Sequence, residues 1–128
     1  TTIHANTPRD AVRRMENMVG MANLGLSQLA IRQQIASAVQ LIIQLQRQSD
    51  GKRRVVSVSE ITGMEGEIVQ MQEIFKFVRE GLDGNGAVRG SFRATGLRPS
   101  FLPQLKPRGL EVPSDYFDAS TALLSVGG

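Results

Sequence analysis

The sequence predicts a mixed α/β domain, two helices followed by two antiparallel β-hairpins and an irregular tail, and three observations carry that prediction. Up to Ala38 the apolar residues recur at helical spacing. From Val39 onward the period drops to two, as in a half-buried strand. Beyond Arg98, Pro99, Pro103, Pro107 and Pro113 cut the chain into pieces too short for anything but brief helical turns. A division follows into a body over residues 1–98 and a proline-punctuated tail with short helices over 99–128. At 128 residues and 41% hydrophobic content, the chain has enough apolar material for one modest core.

Thr1 to Ala5 reads as the end of an extended segment. Asn6 or Thr7 then caps a helix that has Pro8 at its first position and Asp10 in its first turn, where a carboxylate meets the positive end of the helix. Ala11, Met15, Met18 and Ala22 form its apolar stripe, widened by Val12 and Val19, with Asp10 and Arg14 on the wet side. Gly20 and the segment Asn23, Leu24, Gly25 break this pattern, and Ser27 caps a second helix whose inner face includes Ile31, Ile35 and Ala38.

Val39, Leu41, Ile43 and Leu45 then share one face of a strand, with Gln40, Gln44 and Gln46 mostly opposite. Asp50-Gly51 is a favoured pair for a tight two-residue turn, so a second strand, Arg53 to Ile61, is expected to return beside the first. After Gly63 to Gly66, the apolar run Ile68 to Val78 fits helix or strand by periodicity. Strands with a bend near Gln72 are preferred, because the turn-rich run Gly81 to Gly86 leads into another extended segment, Ala87 to Ala94. Phe75, Phe77 and Phe92 would meet in this second hairpin as core. A short helix is expected within Ser100 to Lys106, and Ser120 to Gly128 reads as a frayed end.

Composition excludes several kinds of chemistry. With no cysteine there is no disulfide, thiolate nucleophile or cysteine-ligated zinc. His4 is the single histidine, so one chain cannot build a two-histidine metal site, and no Gly-x-Ser-x-Gly elbow supports a hydrolase triad. The net charge of +3 is mild and spread along the chain. Val39 to Leu45 is far too short to span a bilayer, and Thr1 to Gly20 does not have the form of a signal peptide. Because a helix cap follows Thr1 so closely, the numbered chain is expected to begin inside a larger gene product.

Four segments carry a resemblance, in order: Thr1-Thr2-Ile3-His4-Ala5-Asn6-Thr7-Pro8-Arg9-Asp10-Ala11, Ala30 to Ala38 (AIRQQIASA), Glu60-Ile61-Thr62-Gly63-Met64-Glu65-Gly66, and Phe92-Arg93-Ala94-Thr95-Gly96-Leu97-Arg98-Pro99. The first resembles the histidine box and following helix of type II/IV secretion ATPases. Together the four resemble the C-terminal part of the tight-adherence (Flp) pilus-assembly branch. The resemblance implies that residues 1–98 are the C-terminal portion of a RecA-like domain in a homohexameric, cytoplasmic ring peripheral to the inner membrane. That ring would use ATP and magnesium to drive the pilus or secretion platform proteins of that membrane. It also implies that His4 sits near the terminal phosphate as a catalytic residue, donating a hydrogen bond to developing charge. The Gly-x-x-x-x-Gly-Lys-Ser/Thr loop that cradles nucleotide phosphates is absent, and Gly84-Asn85-Gly86 is no substitute, so this chain alone is expected to be inactive and to bind neither ATP nor magnesium tightly.

Read without the resemblance, a lone histidine is more often structural than catalytic. Arg47, Lys52, Arg53 and Arg54 around the Asp50-Gly51 turn read first as a solvated hairpin tip, and Arg9, Arg13 and Arg14 as surface partners of Asp10 and Glu16. Glu60, Glu65 and Glu67 lack calcium-loop spacing and are assigned no metal. Two other functions remain as alternatives: a noncatalytic interaction module derived from such an ATPase, and a basic nucleic-acid-binding domain. Nucleic acid is not the expected partner, since no aromatic residues interleave the basic ones.

Overall fold

A computed structural model of the chain describes residues 1–22 and 24–127. Asn23, part of the predicted break between the helices, and Gly128, the last residue of the predicted frayed end, lie outside the described residues. Helix α1 spans Pro8–Met21 and begins as its sequence dictates: Thr7 Oγ1 accepts the Asp10 amide at 3.0 Å and Pro8 opens the first turn. Helix α2, Gln28–Ala38, is capped by Ser27, whose Oγ accepts the Ala30 amide at 3.1 Å. Ala11 and Val12 of α1 and Ile31 and Ile35 of α2 are buried, while Met18 is half exposed and lies outside the predicted apolar stripe's buried part.

Four strands follow in chain order, β1 (Leu41–Arg47), β2 (Arg53–Glu65), β3 (Ile68–Leu82) and β4 (Val88–Ala94), and a fifth, β5 (Ala122–Val126), closes the chain. They form one antiparallel meander ordered β1-β2-β3-β4-β5, rather than two separate hairpins. β2 does not stop at Ile61: it runs on through Gly63, and the chain reverses at Gly66-Glu67, so the glycine-flanked segment joins two strands of one sheet. β3 is continuous, and the expected bend near Gln72 takes the form of a register shift that leaves Ile74 unpaired between Glu73 and Phe75.

The predicted frayed end is corrected by β5, whose Ser125 and Leu124 pair with Ser91 and Phe92 of β4. An isolated run such as Ala122–Val126 has no local reason to be a strand. The open edge of β4 supplies its partner groups.

The two faces of the sheet are covered differently. Ile61 and Val69 pack with Val12, Ile31 and Ile35, joined by the half-buried Met15, Ile42, Met64 and Met71, so α1 and α2 lie on one face. Val58, three residues before Ile61 in β2, points to the opposite face and is paired with Phe75. There Phe75 lies 5.7 Å, ring centre to ring centre, from both Phe92 and Phe117. Phe117 ends a 3₁₀ turn, Ser114–Phe117, in the tail. Phe77 stands opposite Phe92 in the β3–β4 register, as expected, and its ring also lies over Gly90, where a β-carbon would sit 2.7 Å from its Cζ.

The tail is pinned to this second face by Glu60, which is 2% exposed. Its carboxylate accepts the Ser100 amide at 3.0 Å, the Ser100 hydroxyl and the Gln72 side-chain amide at 2.7 Å. A short helix, α3 (Leu102–Leu105), and a 3₁₀ turn (Lys106–Arg108) follow, within and just beyond the predicted helical piece.

Candidate functional site

The resemblance directs attention to His4, which lies in the segment before α1 and is exposed. An exposed imidazole is no core histidine. The segment is held against β1 by the Gln44 side chain, which donates to the Ala5 carbonyl at 2.9 Å. Between the two runs a groove of about 590 Å³, lined by Thr1 to Ala5, by Ala11 and Met15 of α1, and by β1 from Leu41 to Arg47 with Arg53 of β2. His4, Asn6, Asp10 and Arg14 also border a shallower depression at the start of α1.

β1 forms one edge of the sheet. The Ile61 amide donates to the Gln40 carbonyl, and the Gln48 amide donates to the Lys52 carbonyl. Alternation along an antiparallel ladder therefore turns the backbone groups of Leu41, Ile43, Leu45 and Arg47 outward, away from β2. The side chains of the same three apolar residues are exposed by 41%, 55% and 57%, whereas Ile42 and Gln44 are half buried toward the helices. The apolar row expected to be the inner face of this strand is thus its open one. The row faces away from the helices, onto the sheet face of its register partners Glu60 and Val58, and the tail does not reach across to cover it. Val39, expected in the strand, instead caps α2, its amide donating to the Ile35 carbonyl.

The turn between β1 and β2 differs by one residue from the two-residue form. Gln48 and Lys52 flank it, so Ser49, Asp50 and Gly51 make a three-residue loop with Gly51 at φ +82°. A two-residue turn would set Arg47 opposite Arg54. The longer loop sets Arg47 opposite Arg53 and sends Arg54 to the other face, where it pairs with Asp50 at 3.0 Å. Asp50 is fully engaged: its carboxylate also accepts the amides of Lys52 at 3.1 Å and of Val88, across the sheet, at 3.0 Å. The Val88 amide is the largest influence, and with the Lys52 amide and Arg54 it outweighs the opposing effect of desolvation and lowers the carboxyl pKa to about 2.

The charged residues of α1 are used in three ways. Arg13 meets Asp10 at 3.7 Å, an exposed pair of little energetic consequence. Arg9 donates to the Val69 carbonyl at 2.6 Å and so ties α1 to β3. Glu16 turns to Arg32 of α2 at 2.8 Å rather than to its own helix, which fastens the two helices together. Glu60, Glu65 and Glu67 do not converge, since Glu60 is sunk into its bonds with Ser100 and Gln72. Among the described residues no group of three or more histidine or carboxylate side chains is placed to hold a metal, and no helix is long and apolar enough to cross a membrane. The residues around His4 do not make a cradle for a magnesium-bound triphosphate, because the glycine-rich loop and its lysine are absent from the chain.

Sequence reasoning placed His4 in the segment just ahead of a helix cap, where the structure also has it, but missed what lies beside it. The pairing of Arg47 with Arg53 was hidden behind the turn length. A signal did exist: glycine as the third residue of Ser49-Asp50-Gly51 also fits the three-residue loop.

No known family profile matches the chain. Over 67 residues, 52% of its length, the chain is 33% identical to two proteins of Mycobacterium tuberculosis, from strains CDC 1551 and H37Rv, that are provisionally named conjugal transfer proteins. The matched stretch covers 18% of the length of each relative, so the chain is similar to a limited part of a longer protein and has a coarse link to conjugation or type IV-like secretion.

Proposed function

We propose that this chain is the C-terminal portion of a RecA-like secretion or pilus-assembly ATPase of the tight-adherence type, which acts as a cytoplasmic homohexamer at the platform proteins of the inner membrane. The observation that carries the reading is the arrangement at the start of the chain. The histidine-box residues lead into a capped helix, and Thr1 to Ala5 line a groove together with the edge strand β1, with His4 exposed there. The limited match to proteins named for conjugal transfer agrees with this reading.

In that role the groove at β1 is where the rest of the ATPase domain adds to the sheet, because an apolar edge with outward backbone groups needs a partner strand. His4 then donates a hydrogen bond to phosphate oxygens held by a loop outside these 128 residues. The same open edge also suits a noncatalytic module that docks onto a full-length subunit, which makes the two readings separable by activity.

The test is magnesium-dependent ATP hydrolysis, first by this chain alone and then with a polypeptide carrying the phosphate-binding loop and the preceding strands of such a domain. No turnover by the chain alone is expected, with turnover on complementation that falls on the order of 100-fold with His4→Ala. Complementation unaffected by His4→Ala favours the noncatalytic module, and turnover by the chain alone overturns both.

A further inference from the structure

The geometry points to a phosphate-binding site at the end of the β1 groove, formed by Arg47 and Arg53 and suited to a small phosphorylated molecule. The two arginines are register partners next to the turn. The pair flanking the loop, Gln48 and Lys52, is hydrogen bonded, so the adjacent Arg47–Arg53 pair belongs to the non-hydrogen-bonded kind, in which side chains approach most closely. Like charges directly opposite one another destabilise a sheet.

Among the described residues no neighbouring carboxylate relieves that repulsion. The neighbouring carboxylate, Asp50, is committed to Arg54 and to two backbone amides. Among the described residues, no carboxylate lies within ion-pair distance of Arg47 or Arg53. Both arginines are exposed and line the same groove as His4 and the hydroxyl residues Thr1 and Thr2. An anion with several oxygens would bridge the two guanidinium forks and turn their repulsion into attraction.

The groove's volume, about 590 Å³, is that of a small-molecule site. A nucleic-acid track would need aromatic stacking platforms along a basic stripe, and the groove has none. Phe75, Phe92 and Phe117 are occupied with one another on the sheet. The site concerns the phosphate group itself and does not depend on the chain belonging to an ATPase.

The experiment is calorimetric titration of the 128-residue chain at low salt with inorganic tripolyphosphate, with thermal unfolding followed in parallel. Tripolyphosphate is expected to bind and to raise the unfolding midpoint of the parent chain. Arg47→Ala and Arg53→Ala are each expected to weaken binding about tenfold. Arg53→Gln should raise the midpoint without ligand, by removing the repulsion, and should lose most of the ligand-induced rise, whichever way Arg47→Ala folds. Lys52→Ala, beside the turn and outside the groove, should change affinity less than about twofold. ATP tested beside tripolyphosphate tells whether a nucleotide's phosphates suffice. A loss with Lys52→Ala equal to that with Arg53→Ala would mean diffuse charge and overturn the assignment, as would absence of binding at low salt. Tighter binding to single-stranded oligonucleotides or to anionic vesicles than to tripolyphosphate would overturn the small-molecule ligand in favour of a polyanionic surface.

Discussion

Glu60 fixes the position of the tail. Burial by itself would push its carboxyl pKa up, but the Ser100 hydroxyl and amide, the Gln72 side chain and the Phe101 amide outweigh burial and hold it below the ordinary 4.5. The folded chain therefore binds this proton less readily than the unfolded chain does. The resulting stabilisation is fully present above the ordinary value and is lost as pH falls through the lower folded-state value. Glu60→Ala leaves several donors without their acceptor and is expected to cost on the order of 2–4 kcal/mol at neutral pH. Urea unfolding measures this, and the difference from the parent chain should narrow below pH 4.5. A difference that stays constant into acid would mean the carboxylate's charge is irrelevant to the clasp.

At the level of elements, β4 depends on the absence of a side chain at Gly90. A β-carbon there would stand 2.4 Å from the Val78 carbonyl oxygen as well as against the Phe77 ring, and the carbonyl, being backbone, cannot swing aside. Gly90→Ala is expected to destabilise by about 1–3 kcal/mol through forced separation of β3 and β4. Gly84→Ala, which has open space around it, should stay within about 0.5 kcal/mol. Equal urea midpoints for the two variants would show that the sheet relaxes at Gly90 without strain. The same element decides β5, because a misplaced β4 removes the edge that Ala122–Val126 pairs with.

At the level of the whole molecule, the sheet has two edges, β1 and β5, and an apolar row stands open along the first. The row Leu41, Ile43 and Leu45 has neither proline nor inward-facing charge to protect it, and Arg47 alone interrupts it at one end. Concentration-dependent self-association is expected in sedimentation experiments. Ile43→Lys should suppress it while changing the unfolding midpoint little, since Ile43 is 55% exposed. A parent chain that is monomeric at all concentrations would mean that the edge is blunted by the Thr1 to Ala5 segment itself.

What the sequence determined by itself is the local part. Thr7, Pro8 and Ser27 start the helices because their caps act within three residues, and Asp50-Gly51 reverses the chain because glycine takes a left-handed conformation without steric cost. His4 was legible as a candidate only through the resemblance of its neighbours, and the groove beside it was not legible at all. Tertiary structure decided the rest, because each such feature depends on residues far apart in the chain. The turn's one-residue difference reset the register and brought Arg47 to Arg53. The apolar side of β1 turned to the face away from the helices, where the tail does not cover it, and stayed open although its period-two pattern promised a buried face. Glu60 could find Ser100, 40 residues away, and Ala122–Val126 could become a strand, only once a folded sheet offered them donors and acceptors that no local sequence contains.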